Sequence, residues 1–283
     1  MSDIHPTTVI EPGAQIAHDC HIGPFCYVGR NVTIGPGTRL LNHVSIHGRT
    51  TLGSANVVWP GAVLGGDPQD LKFHGEDTQL VIGDNNQIRE AVTMHIGTEN
   101  GGGVTRVGNN NLIMIEVHVA HDSLIGNNCV ISNAVLLGGH VEIEDHASIG
   151  GAAAIHHYVT IGAYAFVGGM SRVTQDVPTF MILEGSPARV RGLNRIALMR
   201  HQVPEPSMAR LKDAYRLLYR NHDEPASTNG LSLTERLAEL EANSDNDPYV
   251  TRLIQFMHNM CDGIHGRHRE TLRTDNRFTN PVK

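Results

Sequence analysis

Aliphatic residues recur at every sixth position along most of the chain, and this period constrains the fold more than any other feature. Ten such positions run from Ile10 to Leu64, three from Ile82 to Met94 and twelve from Val107 to Val173. Helices and single strands repeat at about 3.6 and 2 residues, so neither explains a period of six. The pattern is the signature of a parallel β-helix, in which each hexad forms one short strand and the bend after it.

Three hexads close a triangular coil of about eighteen residues, and successive coils stack at about 4.8 Å, the distance between paired strands. The first residue of each hexad then points into the prism and forms an aliphatic column. The chain holds 30 glycines. Because glycine adopts positive φ without steric cost, we expect glycines at the bends.

Two segments interrupt the repeat. Residues 66–79 lose the pattern, although the eighteen residues from Leu64 to Ile82 keep its phase. Met94 and Val107 are thirteen residues apart, so residues 96–106 must bulge outward. Loops on a rigid scaffold often carry function, and we expect these two excursions to border a functional site.

The repeat ends after Val173, and three regions are expected. Residues 1–188 form the β-helix, residues 189–262 form an α-helical domain, and residues 263–283 form a flexible tail with little apolar content.

Local patterns support the helical domain. Met208, Leu211, Tyr215 and Leu218 recur at spacings of three and four, as on one face of a helix. Ser232 with Glu235 matches a capping box, and Asp247 before Pro248 matches a helix start. Both pairs predict the beginning of a helix.

Composition narrows the cellular setting. The four cysteines lie far apart, with no CxxC pair, which is typical of free thiols in a reducing compartment. No segment has the length and apolarity of a signal peptide or a membrane span. We expect a cytoplasmic protein with a formal net charge of −7, without a nucleic-acid partner and without a membrane span.

The eighteen-residue coil brings distant histidines together. Adding eighteen to His121 gives Gly139, and adding eighteen again gives His157, so these three should stack along one edge. Residues next to or near this column in sequence are His118, Asp122, His140 and His156. His95 lies before the second excursion and is harder to place.

A group of histidines with one carboxylate suits general acid–base catalysis, because imidazole titrates near neutral pH. Asp122 would fix the tautomer of the His121 ring. Gly139, one coil away, would offer a backbone N–H to the oxyanion of an acyl-transfer intermediate. Each histidine alone is also compatible with a purely structural corner position.

Several runs of sequence resemble a known family from about residue 8 to residue 200. These runs are GGDPQDLKFHGEDT, IREAVTMHIGT, HVAHDSLIGNNC, LLGGHVEI and AIHHYVTIG. They are similar to the acyl-[acyl-carrier-protein]–UDP-N-acetylglucosamine O-acyltransferases, which start lipid A biosynthesis. The resemblance implies a left-handed β-helix, a property that the period itself does not give.

The resemblance also implies roles for residues. His121 would be the general base, assisted by Asp122, and Gly139 the oxyanion donor, while Gly169 would set the accepted acyl chain length. Further residues would bind the sugar nucleotide: Asp70, Lys72, His95, His118, His140, His156, His157, Asn194 and Arg200. It implies a homotrimer with sites between subunits, direct acyl transfer from acyl carrier protein to the glucosamine 3-position, and neither a cofactor nor a metal.

The chain departs from the family pattern at two places. His157 stands where the family often has Gln, and Ile196 stands where an acidic residue is frequent. These departures leave open whether the acceptor carries oxygen or nitrogen at C3 and how the nucleotide end is held.

Basic residues are concentrated between Arg189 and Arg220, where eight of them stand against Glu205 and Asp213. A solvated helical face explains such a concentration. Docking of an acidic carrier protein explains it equally well and agrees with the resemblance.

Three other functions fit parts of the pattern. A related UDP-sugar N-acyltransferase shares the repeat but carries an additional amino-terminal domain, whereas the hexads here begin at Ile10. A γ-type carbonic anhydrase would bind zinc with three histidines of a β-helix. A non-catalytic β-helix would not need converging histidines.

Overall fold

The computed structural model describes residues 2–219, 231–266 and 268–271. The repeat folds into a three-sided prism of stacked coils, and each side is one sheet. Face 1 contains β1 (Asp3–Ile4), β4 (His21–Ile22), β7 (Arg39–Leu40), β10 (Val57–Val58), β13 (Gln87–Ile88), β16 (Leu112–Ile113), β19 (Val130–Ile131), β22 (Ser148–Ile149), β25 (Phe166–Val167), β27 (Met181–Gly185) and β28 (Ala188–Leu193).

The other two faces are built in the same way. Face 2 contains β2 (Val9–Ile10), β5 (Tyr27–Val28), β8 (Ser45–Ile46), β11 (Val63–Gly66), β14 (Thr93–His95), β17 (His118–Val119), β20 (Leu136–Leu137), β23 (Ala154–Ile155) and β26 (Arg172–Val173). Face 3 contains β3 (Gln15–Ile16), β6 (Thr33–Ile34), β9 (Arg49–Leu52), β12 (Gln79–Ile82), β15 (Val104–Val107), β18 (Leu124–Ile125), β21 (Glu142–Ile143) and β24 (Thr160–Ile161).

The described pairings within the prism are parallel apart from that of β27 with β28, and regular coils advance by eighteen residues, as in Val119 with Leu137 and Leu137 with Ile155. The hexad residues from Ile22 onward are buried in one continuous core. Ile10 and Ile16 are half-buried, because they lie in the first coil, whose end is open. The predicted β-helix and its inward column are confirmed.

Glycines match the expectation only in part, since some, such as Gly37 and Gly61, have positive φ at bends but others do not. Non-glycine residues such as Asp122, His140 and Tyr158 occupy the positive-φ corner positions, at φ of 59°, 62° and 66°. A glycine after the buried aliphatic residue instead lies tightly against the next coil. A Cβ on Gly108 would lie 2.5 Å from the carbonyl oxygen of Gly126. These glycines are required by close backbone approach.

A ladder of buried asparagines crosses the coils between faces 3 and 1. Asn56, Asn86 and Asn111 each accept a backbone N–H from the next coil through Oδ1. Asn111 Oδ1 accepts the backbone N–H of Cys129 at 2.7 Å, and Asn111 Nδ2 donates to the carbonyl oxygen of Gly126 at 2.9 Å. The ladder therefore satisfies backbone groups that the bends leave unpaired.

Both excursions leave the prism at the same edge. The step from β11 to β12 takes eighteen residues instead of six, because residues 67–78 loop out between face 2 and face 3. The step from β14 to β15 takes thirteen, with residues 96–103 outside the strands and a 3₁₀ turn at Glu99–Gly101. The second excursion is shorter than expected, because residues 104–106 pair with β12.

The carboxyl-terminal part closes one end of the prism. Its helices are α1 (Arg195–Arg200), α2 (Glu205–Tyr219), α3 (Leu233–Ala242), α4 (Pro248–Cys261) and α5 (His268–Thr271). Leu211, Leu218 and Met208 are buried in a second core that includes Phe180. The capping box at Ser232 and the Asp247 cap are both present, as expected.

Two boundaries differ from expectation. Residues 188–193 form β28, antiparallel to β27, so the sheet continues past residue 188 and helices begin at Arg195. The tail is packed rather than free where it is described, since His265 and Gly266 are buried and α5 lies against the prism. Residues 272–283 lie outside the described residues. None of the described helices has the length and apolarity to cross a membrane.

We predict that Asn111→Ala lowers the free energy of unfolding by about 2 to 4 kcal/mol, because it leaves Cys129 N–H and Gly126 C=O buried without these partners. Denaturant unfolding followed by circular dichroism measures the change. Asn31→Ala, at an exposed position, is the control and should shift the midpoint little. Equal midpoints for the two variants would contradict a stabilising role for the ladder.

Candidate active site

The edge between face 2 and face 3 carries the predicted histidines, which we call the histidine corner. Its members are His95, His118, His121, His140, His156 and His157. Ring centroids are 4.9 Å apart for His95 and His118, and 5.2 Å apart for His121 and His140. The sequence therefore located the cluster correctly, and His95 joins it as the last residue of β14.

His121 and Asp122 form a hydrogen-bonded dyad. His121 Nδ1 donates to Asp122 Oδ2 at 2.8 Å, and the carboxylate side chain has no exposed surface. This bond places the ring proton on Nδ1 and leaves the lone pair of Nε2 available. The arrangement is that of a general base whose tautomer is fixed by a buried acid.

The second excursion encloses Asp122. Thr98 donates its backbone N–H to Oδ1 at 2.8 Å and its hydroxyl to Oδ2 at 2.6 Å. Thr105 Oγ1 accepts the backbone N–H of Asp122 at 2.8 Å. A Cβ on Gly101 would lie 2.0 Å from the carboxyl carbon, so only glycine fits there. These contacts hold the Asp122 carboxylate in place, and no pattern in the sequence pointed to them.

Gly139 lies directly against the His121 ring. A Cβ built on Gly139 would be 2.7 Å from Cε1 and 2.8 Å from Nε2 of that ring, so no larger residue fits without displacing it. Its backbone N–H makes no hydrogen bond within the described part of the chain. A base thus lies directly beside a backbone N–H that has no partner among the described residues.

Two histidines near the dyad, His95 and His118, are neutral at physiological pH. Burial, together with His118 and His121, lowers the pKa of His95 from 6.5 to about 4. Burial and His121 also lower the pKa of His118, whose Nδ1 lies 2.8 Å from Thr93 Oγ1. His95 Nδ1 is buried without a hydrogen-bond partner among the described residues. These rings offer hydrogen bonds rather than positive charge.

The part of the histidine corner on the later coils is aromatic and polar. The His140 ring stacks on Tyr158 at 4.3 Å, and the rings of His156 and His157 are 3.8 Å apart. His157 Nε2 lies 2.9 Å from Glu270 of α5. This contact with the carboxyl-terminal segment was not expected from the sequence.

The first excursion carries Asp70 and Lys72. It starts next to His95, since a Cβ on Gly66 would lie 3.5 Å from the His95 ring. Asp70 Oδ1 accepts the backbone N–H of Lys72 at 3.1 Å, which forms a local turn. Both side chains are half-buried, whereas Leu71 between them is 82% exposed.

Three expected site residues lie on other edges of the same chain. Gly169 follows β25 at the edge between faces 1 and 2. Asn194 caps α1 through Oδ1 and donates Nδ2 to Tyr164 O, at the edge between faces 3 and 1. Arg200 is exposed in the last turn of α1. A single chain therefore does not bring these residues to the histidine corner.

His121, Asp122 and His140 are close enough for their ligand atoms to hold one metal ion. However, the 2.8 Å between His121 Nδ1 and Asp122 Oδ2 is the length of a direct hydrogen bond. Asp122 also accepts both bonds from Thr98. The geometry fits a proton-transfer dyad better than the three-histidine zinc site of a carbonic anhydrase.

Family profiles match both parts of the chain. The bacterial transferase hexapeptide profile matches residues 7–42 and 105–139, and the profile for domain 2 of UDP-N-acetylglucosamine O-acyltransferase matches residues 176–265. The chain is 45% identical to the acyl-[acyl-carrier-protein]–UDP-N-acetylglucosamine O-acyltransferase of Saccharophagus degradans over 264 residues, which are 93% of this chain and 99% of the relative.

Solved structures agree with the sequence comparison. The UDP-N-acetylglucosamine O-acyltransferase of Moraxella catarrhalis is 40% identical with a TM-score of 0.85, over 90% of this chain and 96% of that chain. The UDP-N-acetylglucosamine acyltransferase of Bacteroides fragilis is 37% identical with a TM-score of 0.85, over 90% and 97%. These similarities confirm the left-handed β-helix, and the chain belongs to the acyl-[acyl-carrier-protein]–UDP-N-acetylglucosamine O-acyltransferase family.

Proposed function

We propose that the protein transfers a fatty acyl group, typically 3-hydroxylated, from acyl carrier protein to the glucosamine 3-hydroxyl of UDP-N-acetylglucosamine. This is the first step of lipid A biosynthesis, and it would take place in the cytoplasm. The observation that carries the proposal is the stack of Asp122, His121 and Gly139 in a chain of this family.

The acceptor hydroxyl loses its proton to His121 Nε2 as its oxygen attacks the thioester carbonyl. A new C–O bond forms, the C–S bond breaks, and the imidazolium returns the proton to the departing carrier thiolate. Asp122 stabilises the imidazolium through the 2.8 Å bond to Nδ1. Atoms and charge balance without a cofactor, a metal or a covalent acyl-enzyme.

The tetrahedral intermediate carries a negative oxygen. Gly139 lies against the His121 ring, and its N–H has no partner within the described chain, so we assign it to this oxyanion. A preorganised backbone donor of this kind typically contributes about 3 kcal/mol to transition-state stabilisation. Since the coil fixes both groups, little reorganisation is needed when the intermediate forms.

The remaining corner residues suit recognition of a sugar nucleotide. His95 and His118 are neutral, and they would bind hydroxyl and phosphate oxygens through N–H groups. Lys72 supplies a positive charge for a phosphate, and Asp70 accepts from sugar hydroxyls. His140, His156 and His157 line the other side of the corner.

We propose a homotrimer with one site between each pair of subunits. The residues expected to contact one set of ligands lie on three edges: the histidine corner, Gly169, and the Asn194–Arg200 segment. A three-fold axis brings different edges of neighbouring prisms together. Leu71, exposed beside the corner, is then covered by a neighbour, where Gly169 lines the acyl path and Arg200 reaches the nucleotide.

The basic helical surface suits the acidic carrier protein. Arg195, Lys212 and Arg216 line a groove with Leu193 and Tyr215 at the junction of β28, α1 and α2. The three basic side chains are exposed, and Arg216 forms an exposed ion pair with Asp213 at 2.8 Å. Arg220 lies outside the described residues. Such a surface accelerates association with an acidic partner, mainly at low salt.

His121→Ala should lower kcat by about 10²- to 10⁴-fold, because the general base is lost, and leave the KM for UDP-N-acetylglucosamine within a few-fold. Asp122→Asn should also lower kcat, since the tautomer is no longer fixed. Mass spectrometry of the acylated product measures turnover. His5→Ala, which removes an exposed histidine far from the corner, is the control. Near-normal turnover by His121→Ala would refute the assignment.

Mixed trimers test the shared site. We expect His121→Ala and Arg200→Glu chains to be nearly inactive separately. Randomly mixed at equal amounts, they should regain about a quarter of wild-type activity, since a quarter of the two-subunit sites carry both intact residues. Mixing two differently tagged His121→Ala preparations is the control. Absence of recovery in verified mixed trimers would mean that each site uses one chain.

Carrier docking predicts that Lys212→Glu combined with Arg216→Glu raises the KM for the acyl carrier thioester about tenfold at low salt. The effect should shrink at high salt, and the KM for UDP-N-acetylglucosamine should not change. Arg39→Glu is the matched control, because Arg39 is an exposed arginine near the other end of the prism. An unchanged carrier KM at low salt would exclude this surface as the docking site.

A further inference from the structure

The end of the described chain folds back over the histidine corner. We call its residues His265, Gly266, His268, Arg269 and Glu270 the carboxyl-terminal strap. The strap follows α4 and runs along the last coils of the prism, where its side chains contact face 3 and the adjoining edge. Arg269 and Glu270 lie beyond residue 265, where the match to the family profile ends.

Burial and close packing anchor the strap. His265 is buried, with its ring nitrogens 3.9 Å from Glu142 and 4.0 Å from Glu144, and it stacks on Phe256. The backbone of Gly266 lies so close to Asp176 that an added Cβ would be 2.0 Å from the carboxylate oxygen. The strap is therefore held at a fixed height along the prism.

Arg269 connects two consecutive corners. Its Nη2 donates to Tyr158 O at 2.9 Å and to His140 O at 3.2 Å, while Nη1 lies 3.7 Å from Glu142. The two carbonyls belong to the positive-φ residues that follow Gly139 and His157. One guanidinium thus links the backbones of two consecutive coils at the corner, next to Gly139 and His157.

Glu270 holds the ring of His157. Its Oε1 lies 2.9 Å from His157 Nε2, and both side chains are about one third exposed, at 30% and 39%. A hydrogen bond from Nε2–H to the carboxylate fixes the rotation of the ring and leaves Nδ1 as the atom without a proton. No other acidic side chain in the described strap faces this edge.

We propose that Arg269 and Glu270 are positioning residues of the acceptor side of the site, an inference that rests on the proposed function. Glu270 orients His157 toward the acceptor sugar, and Arg269 holds the corner backbone on either side of it. Neither residue touches the reacting atoms. Their loss should weaken acceptor binding while leaving the chemistry at His121 largely in place.

Glu270→Ala should raise the KM and the Kd for UDP-N-acetylglucosamine about tenfold, since one charge-assisted hydrogen bond that orients a binding residue is lost. The KM for the acyl carrier thioester and kcat should change less than twofold. Steady-state kinetics with each substrate varied, and calorimetric binding of UDP-N-acetylglucosamine, separate these effects. Glu270→Gln keeps the size of the side chain and should give a smaller effect of the same kind.

A matched control is available in the helical domain. Glu241 pairs with His258 at the surface of α3 and α4, away from the histidine corner. Glu241→Ala removes the same type of ion pair and should leave both KM values unchanged. Comparable thermal unfolding midpoints for the two variants show that any kinetic difference is not a folding defect.

A double-mutant cycle tests whether Glu270 acts through His157. If it does, His157→Ala and the double variant His157→Ala/Glu270→Ala should have the same acceptor KM. Arg269→Lys should restore only part of the acceptor binding that Arg269→Ala loses, because a single ammonium lacks the planar set of donors that bridges two carbonyls.

Different results would overturn the proposed function and the role of the strap. A wild-type enzyme that neither binds nor acylates UDP-N-acetylglucosamine would overturn the proposed function. An active wild type whose acceptor KM and Kd stay within twofold after Glu270→Ala, or a cycle in which the two substitutions are additive, would overturn the role of the strap. An unchanged carrier KM together with a raised acceptor KM supports it.

Discussion

Closure of every coil after three short strands is the constraint on which the rest of the molecule depends. Each coil fills the interior with aliphatic side chains from its strands, and small or aliphatic residues at the bends, such as Val117 and Val135, complete the core. Neighbouring coils are held about 4.8 Å apart by backbone pairing. This spacing puts the His121 ring directly against Gly139, and it makes the geometry of base and donor a property of the backbone.

The periodic part of the chain could be predicted from sequence, because position in a β-helix depends only on sequence distance. The step of eighteen residues correctly stacked His121 on Gly139 and placed His140 beside them. The Asp122 bond to His121 Nδ1 also matches expectation. The roles of these residues in transfer stay predictions, since geometry gives their arrangement but no reaction.

The irregular parts could not be predicted, because they have no period that converts sequence distance into position. Thr98 on Asp122 and Glu270 on His157 join segments 24 and 113 residues apart. The glycines were interpreted as bend residues, whereas several are required by the neighbouring coil. Gly169 and Arg200 lie on other edges, a placement that fits the proposed trimer.

The two excursions share one edge, and this has a consequence for how such proteins diversify. A segment inserted at a corner keeps the hexad positions of the neighbouring strands in parallel register, although β11 shifts its register with β14 at Gly66. Residues 67–78 can therefore differ in length without moving the dyad, whereas residues 96–103 are tied to it by the two hydrogen bonds from Thr98 to Asp122. A longer or shorter first loop would change what borders the histidine corner while the coil that carries His121 keeps its place.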